Sequence, residues 1–411
     1  AHEGVLEDRM TGKHGIQANI VCVSVSKPIV TVCGDGQLAR MMQPAAAELD
    51  IHLRILAGSP DSSTAQVTPD IVVGDYHHYE DLLAAARGAD AITFEHEHVP
   101  NEHSAALIDA SFNVQPQPSA LRYAQDKLDM REKLSALGAP VPRFSAIESV
   151  ADARAFFDAV DGRVCLKARR GGYDGKGVWF PSDADLDDLV AEILDAGTPL
   201  MAEEKVDLTR ELSILVARRP SGEAKVWPIT QSRQANGICA EAIAPAPDLS
   251  PKLAERASAL GLSIAESLGV TGVLAVELFA FNGEGGEDIS VNELAMRPHN
   301  TGHWTQDGCV TSQFEQHLRA VLDLPLGAVD ALAPVTVMAN VLGADADPKM
   351  PMPQRVREVM ERYPHAKIHL YGKDHRAGRK IGHVNVAGTS LEETRDAAGQ
   401  AAHFLMHATW A

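Results

Sequence analysis

The chain has little cysteine and no long apolar run, and its charge is strongly one-sided. Its five cysteines (Cys22, Cys33, Cys165, Cys239, Cys309) are scattered, odd in number and without zinc-type spacing. A disulfide framework is therefore excluded, and a reduced, cytoplasmic setting is expected. No stretch approaches the ~20 apolar residues of a membrane-spanning helix. A net charge of −19 argues against general binding to nucleic acid or to an anionic membrane. Internal repeats and low-complexity segments are absent. Residues 1–27 lack a signal-peptide core, since Ile20–Val25 is short and broken by Ser24; they read as an N-terminal extension.

What is present is ordinary globular composition, 45% hydrophobic and 23% charged over 411 residues, enough for two or three domains. Ile29–Cys33 is a β-branched run ending at Gly34-Asp35-Gly36, and Gln37–Met42 opens a helical pattern. Gly34-x-Gly36-x-x-Ala39 thus fits a strand–turn–helix whose helix N-terminus faces an anion. The second strand runs into Gly58-Ser59-Pro60-Asp61 without an acid at its tip for a ribose, which argues against nicotinamide binding. Strands at Ile71–Val73 and Ala91–Phe94 alternate with helices at about 79–87 and 102–110, the pattern of a parallel sheet. Phe94–His98 reads as the end of a strand, with Glu95 and Glu97 on one face and His96 and His98 on the other. Ser119–Leu137 reads as one helical stretch carrying Asp126-Lys127.

Arg169–Gly177 (RRGGYDGKG) lies between strand-like runs at Val164–Ala168 and Val178–Phe180. Its glycines allow close approach of backbone N–H groups, and Lys167, Arg169, Arg170 and Lys176 make it cationic, which suits a polyphosphate. It is not a Walker A loop, because Arg170 and Gly177 stand where that motif needs Gly and Ser or Thr. Farther on, Val273–Phe281 and Ile289–Leu294 flank a glycine-rich turn. Folded symmetrically about Gly285, this hairpin sets Glu277 opposite Glu293. Two carboxylates at such a pair repel on otherwise apolar strands, and a hard divalent cation such as Mg²⁺ removes that cost; Asn292 is the adjoining neutral donor. Arg297, His299 and Asn300, in the polar run Met296–Thr305, are placed to hold a small anion or second substrate. The basic stretch Lys373–Lys380 stands out in an acidic chain.

Together, Gly34-Asp35-Gly36-Gln37-Leu38, Arg170–Gly177, Asn292-Glu293-Leu294-Ala295 and Arg297–Thr305 closely resemble the ATP-grasp ligases, and within them the N5-carboxyaminoimidazole ribonucleotide synthetases of purine biosynthesis. The resemblance runs from Pro28 to the last helix. It implies an α/β (α+β) chain: a Rossmann-like domain at 28–125, an ATP-grasp domain at 126–325 with a glycine-loop subdomain at about 145–208, and a small C-terminal domain at 326–411. It implies a homodimer and a functional link to the mutase that uses the product. It places ATP on Lys127, Lys167, the loop Gly172, Tyr173, Asp174, Gly175, Lys176, Gly177 and Val178, the segment Glu203, Glu204, Lys205 and Val206, and Glu211, Asn292 and Glu293. Mg²⁺ falls to Glu277 and Glu293. The ribonucleotide, 5-aminoimidazole ribonucleotide, falls to Glu95, Tyr173, Asp174, Lys176, Lys373, Arg379 and Lys380. Arg297, His299 and Asn300 match the bicarbonate site, with Arg297 shared by both substrates, and Asp174 or His299 is the candidate to take the amine proton. Asp35, Gln234 and Ala377 depart from the family pattern; an acid at Asp35 requires a side chain turned away from phosphate. The alternative reading is another ATP-grasp ligase, such as the formate-dependent glycinamide ribonucleotide transformylase.

Overall fold

The computed structural model describes residues 27–172, 176–235 and 237–411. The first 26 residues, most of the expected extension, lie outside them, as do Tyr173, Asp174 and Gly175.

The N-terminal sheet is parallel and four-stranded, in the order Asp70–Val73, His52–Ala57, Ile29–Cys33, Ala91–Phe94. The near-continuous apolar run Ile29–Cys33 is explained by its central place, covered on both faces. Helices Gln37–Glu48, Tyr79–Ala86 and Asn101–Asp109 alternate with the strands.

The expected single helix at 119–137 is two helices, Pro118–Gln125 and Lys127–Ala136. Asp126 between them is extended, and its buried carboxylate accepts from Leu128 N at 3.0 Å and Asp129 N at 3.3 Å. A side chain that caps the second helix has to leave the first. The cap also fixes Lys127 as the first residue of its helix.

A small antiparallel sheet follows, in the order Phe144–Ile147, Leu200–Glu204, Val164–Ala168, Val178–Trp179. Helices Val150–Ala159 and Leu186–Asp195 bury their apolar faces against it, through Ala153, Leu186, Val190 and Ile193. Strand Phe144–Ile147 and helix Val150–Ala159 had no reading in the sequence.

The remaining strands form one nine-stranded sheet. Its path is Gly286–Ala295, Gly272–Gly283, Leu208–Arg218, Thr230–Ala235, Ile238–Ala244, Val335–Leu342, Lys380–Gly388, Lys367–Leu370, with Ala224–Val226 paired beside Leu208–Arg218. The last three strands of that path are C-terminal, so the sheet passes through residue 326 without a break: Ile243 pairs with Val337 and Ala244 with Thr336. Helix Pro251–Leu268, capped by Ser250 and ended by left-handed Gly269, packs on the Leu208–Arg218 strand. Among the described residues no helix is long and apolar enough to cross a membrane.

Candidate active site

The hairpin Gly272–Gly283 and Gly286–Ala295 puts Glu277 opposite Glu293, but not by symmetry about Gly285. Pairing runs in regular register from Gly283–Gly286 to Leu278–Val291; continued, it would set Glu277 against Asn292. A one-residue bulge at Asn292 advances the register and brings Glu293 across instead. Bulges re-aim side chains in this way.

Two lysines from separate segments converge on that bulge. Lys127 Nζ donates to Glu293 Oε1 at 2.5 Å, and Lys167 Nζ donates to Asn292 Oδ1 at 3.1 Å. Lys167 also pairs with Glu203 Oε2 at 2.7 Å. Glu203, assigned above to adenine, has its side chain turned inward, 3% exposed, between Lys167 and Arg131; Arg131 Nε donates to Glu203 Oε1 at 2.6 Å. Burial raises the Glu203 carboxyl and the two cations outweigh it, leaving it at about 2. Arg131 also donates to Asn292 O at 2.6 Å, locking the bulge. The sequence reading passed over Arg131; its signal is the spacing of four from Lys127, one face of one helix. Glu204 faces outward, to Arg143 at 2.8 Å, and Lys205 is exposed with Nζ over the Phe180 ring; Val206 is half-buried.

The glycine loop leaves this centre on the strand pair Val164–Ala168 and Val178–Trp179, where Lys167 pairs with Val178. At its base Gly172 has φ +70°, and a Cβ there would meet Lys176 O, so only glycine keeps the loop pinched. Lys176 is exposed and Gly177 half-buried. The loop's entry is anchored by Asp126, which accepts from Arg169 Nε at 3.1 Å, Arg169 Nη2 at 2.9 Å and Arg170 Nε at 3.1 Å. The same carboxylate therefore caps the Lys127 helix and holds the loop. The assignments to Tyr173, Asp174 and Gly175 fall outside the described residues.

On the other side of the hairpin, His299 Nε2 lies 3.0 Å from Glu277 Oε1, and this contact, with Lys127 and Arg297 nearby, holds the Glu277 carboxyl below its usual range against the effect of burial. His299 Nδ1 is 2.9 Å from Thr301 Oγ1, which in turn meets Ser213 Oγ at 2.8 Å. Arg297 Nε pairs with Glu97 Oε1 at 2.9 Å. Asn300 stands next in the chain, its Nδ2 buried beside Cys239. Glu211 sits two residues from Ser213, which pairs with Glu277. Burial first, then the Glu277 charge, pushes its carboxyl up to about 7, opposed by a hydrogen bond from Gln234.

The N-terminal sheet contributes Glu95, and the structure corrects its expected setting. The strand ends at Phe94, so Glu95 and Glu97 do not share a strand face. Glu97 turns to Arg297, whereas Glu95 turns back to accept from Gly36 N and, at 3.1 Å, Ala39 N. The anion facing this helix N-terminus is thus the chain's own carboxylate, raised by its burial. Asp35 turns away to accept from Gly58 N at 3.0 Å. Across the cleft, Lys373 Nζ donates to Gln37 Oε1, and burial lowers its pKa against the pull of Glu95. Arg379 donates to Asp374 O at 3.3 Å, with Lys380 next to it. The C-terminal loop is docked by Ser63 Oγ on Tyr371 O at 2.6 Å and Gln66 Nε2 on Gly372 O at 2.8 Å.

The arrangement has a cationic half around Lys127 and Lys167 at the base of the glycine loop, a carboxylate pair at its centre, and a further charged group made by Glu95, Arg297 and Lys373. Known proteins resemble the chain over most of its length. Residues 28–125 match the ribonucleotide synthetase preATP-grasp domain, 132–314 the ATP-grasp domain, and 336–397 the phosphoribosylaminoimidazole carboxylase C-terminal domain. The N5-carboxyaminoimidazole ribonucleotide synthase of Corynebacterium ammoniagenes is 63% identical over 385 residues, covering 93% of each chain. The ADP complex of an N5-carboxyaminoimidazole ribonucleotide synthetase superposes with a TM-score of 0.83 at 33% identity, covering 91% of this chain and 97% of the other. The Aspergillus clavatus synthase solved with ADP and 5-aminoimidazole ribonucleotide gives 0.82 at 27%, covering 92% and 98%. The chain belongs to the N5-carboxyaminoimidazole ribonucleotide synthase family of ATP-grasp ligases.

Proposed function

We propose that the chain uses ATP to join bicarbonate to the exocyclic amine of 5-aminoimidazole ribonucleotide, giving the N5-carboxylated ribonucleotide, ADP and phosphate. The observation that carries this reading is the convergence of Lys127 and Lys167 on the bulge that pairs Glu277 with Glu293. Bicarbonate is a poor electrophile. Its oxygen attacks the γ-phosphate, ADP leaves, and the carboxyphosphate formed, or CO₂ released from it, is taken by the amine with loss of phosphate and a proton.

Lys127 and Lys167 lie where phosphate charge shifts toward ADP, and the glycine loop keeps water from the short-lived intermediate. Glu277 and Glu293, with Asn292, form a hard oxygen donor set on apolar strands, contacted here by His299 and Lys127; that set fits Mg²⁺. Held by Glu277, Glu293 and Asn292, Mg²⁺ would offset the negative charge of the transferring phosphate. Arg297, steadied by Glu97, holds bicarbonate in line. Both ring nitrogens of His299 are engaged, so its role is to orient Glu277 and the loop rather than to take the proton. Lys373 and Arg379 face the ribonucleotide phosphate and Glu95 its hydroxyls. The reading includes a homodimer, checked by sedimentation.

The deciding experiment measures ADP release with Mg²⁺-ATP and bicarbonate, with and without 5-aminoimidazole ribonucleotide. Release that requires this ribonucleotide supports the reading. Release that instead requires formate and glycinamide ribonucleotide overturns it.

A further inference from the structure

Behind the site runs a buried polar chain that the reaction itself does not use. Gln313, fully buried, grips His299 on both sides: its Oε1 accepts from His299 N at 2.8 Å, and its Nε2 donates to His299 O at 2.8 Å. The same Nε2 lies 3.0 Å from His303 Nδ1. Gly302 is required beside it, since a Cβ there would run into Gln313 Oε1. His303 in turn stacks on His383 of the C-terminal strand Lys380–Gly388, with ring centroids 4.8 Å apart. His383 Nδ1 is 2.7 Å from the hydroxyl of Tyr371, and Tyr371 stands two residues before Lys373. A second strap runs alongside: Asn385 Nδ2 reaches His303 O at 3.0 Å and Asp307 Oδ2 at 2.7 Å.

All four principal side chains are at most 1% exposed. A water-exposed set of such contacts would be loose. Buried, each of these bonded atoms is held because losing its partner would leave it unsatisfied, and the interior does not deform continuously. One end of the chain fixes the residue bonded to Glu277; the other fixes the base of the basic loop.

We infer that Gln313, His303, His383 and Tyr371 are positioning residues that tie the bicarbonate-side loop to the ribonucleotide-side loop, so that phosphoryl transfer is matched to the presence of the acceptor. This rests on the function proposed above. Its consequence is stoichiometric: with the chain intact, one ADP forms per carboxylated product; with it cut, ADP forms without product.

The test is a double-mutant cycle of Tyr371→Phe and Gln313→Glu in the full chain, measuring ADP and carboxylated product side by side, with melting temperature as a control. Tyr371→Phe removes one hydroxyl and keeps the ring. Each single variant should raise the ratio of ADP to product by roughly two- to thirtyfold. The two effects should be non-additive although the side chains do not touch, whereas independent sites add. A proportionate fall of ADP and product, at a ratio of one and with additive effects, would mean purely structural roles and overturn the inference. If Gln313→Glu fails to fold, Tyr371→Phe alone decides: a raised ratio of ADP to product supports the inference, and a ratio of one overturns it. Failure of the underlying reading would look different, because the unaltered protein would then show no ribonucleotide-dependent ADP release.

Discussion

Glu277 stands across from Glu293 because Asn292 is bulged out of the strand between them. The bulge makes a carboxylate pair out of what regular pairing would leave as a carboxylate facing an amide.

The first prediction follows from that pair. Glu293→Gln keeps the shape and a partner for Lys127 but removes a charge from the proposed cation site. ADP release should fall at least about 100-fold, the scale of losing a principal electrostatic contact, while circular dichroism stays unchanged. Retained turnover would sink the assignment.

The second concerns Glu203, buried between Arg131 and Lys167. Breaking a buried ion pair by removing one partner costs about 3–5 kcal/mol, so Glu203→Gln should lower stability by that order in chemical denaturation. The pH dependence has a definite sign. The carboxyl sits at about 2 in the fold and at about 4.3 in an unfolded chain. Its contribution is therefore present above about 4.3 and is lost as pH falls toward 2. In Glu203→Gln this part of the acid sensitivity should vanish.

Glu211 yields the third. Its carboxyl is held up to about 7 by burial and by the charge of Glu277. A cation at Glu277 cancels part of that charge, so binding of Mg²⁺-ATP near neutral pH should release a proton. Calorimetry in buffers of different ionisation enthalpy reads this directly. A buffer-independent enthalpy for the unaltered protein would count against it, and Glu211→Gln should show no release.

Asp126 separates structure from function in the fourth. Asparagine caps helices about as well as aspartate, so Asp126→Asn should keep the Lys127 helix. It loses the charge that anchors Arg169 and Arg170, and the KM for ATP should rise several-fold, with a small change in melting temperature. An unchanged KM would show that the anchor does not matter to nucleotide binding.

Much of this was legible in the sequence because it is local. Alternating β-branched runs and helical patterns gave the N-terminal parallel sheet, and the two carboxylates on a glycine-turned hairpin gave their pairing. The reasons were not always legible: the pairing needs the bulge, which no periodicity announces. Arg131, Gln313 and Glu97 were missed because their partners lie 72, 14 and 200 residues away in the chain. The break at Asp126 was missed because an aspartate inside a helical pattern reads as a solvated residue until its carboxylate is seen on two backbone N–H groups. Glu95 was placed by strand alternation one residue after the strand had ended.

The nine-stranded sheet bears on motion. Strands from the carboxylate hairpin to the C-terminal edge share one unbroken ladder of backbone hydrogen bonds, so they cannot swing apart without breaking it. The four-stranded sheet that carries Lys167 and the glycine loop is a separate ladder. The carboxylate pair and the basic loop therefore share one sheet, and Lys167 stands on another, tied to the hairpin through Arg131 and to the Lys127 helix through Asp126. A chain ending near residue 326 would bare the edge of Ile238–Ala244 to pairing with other chains.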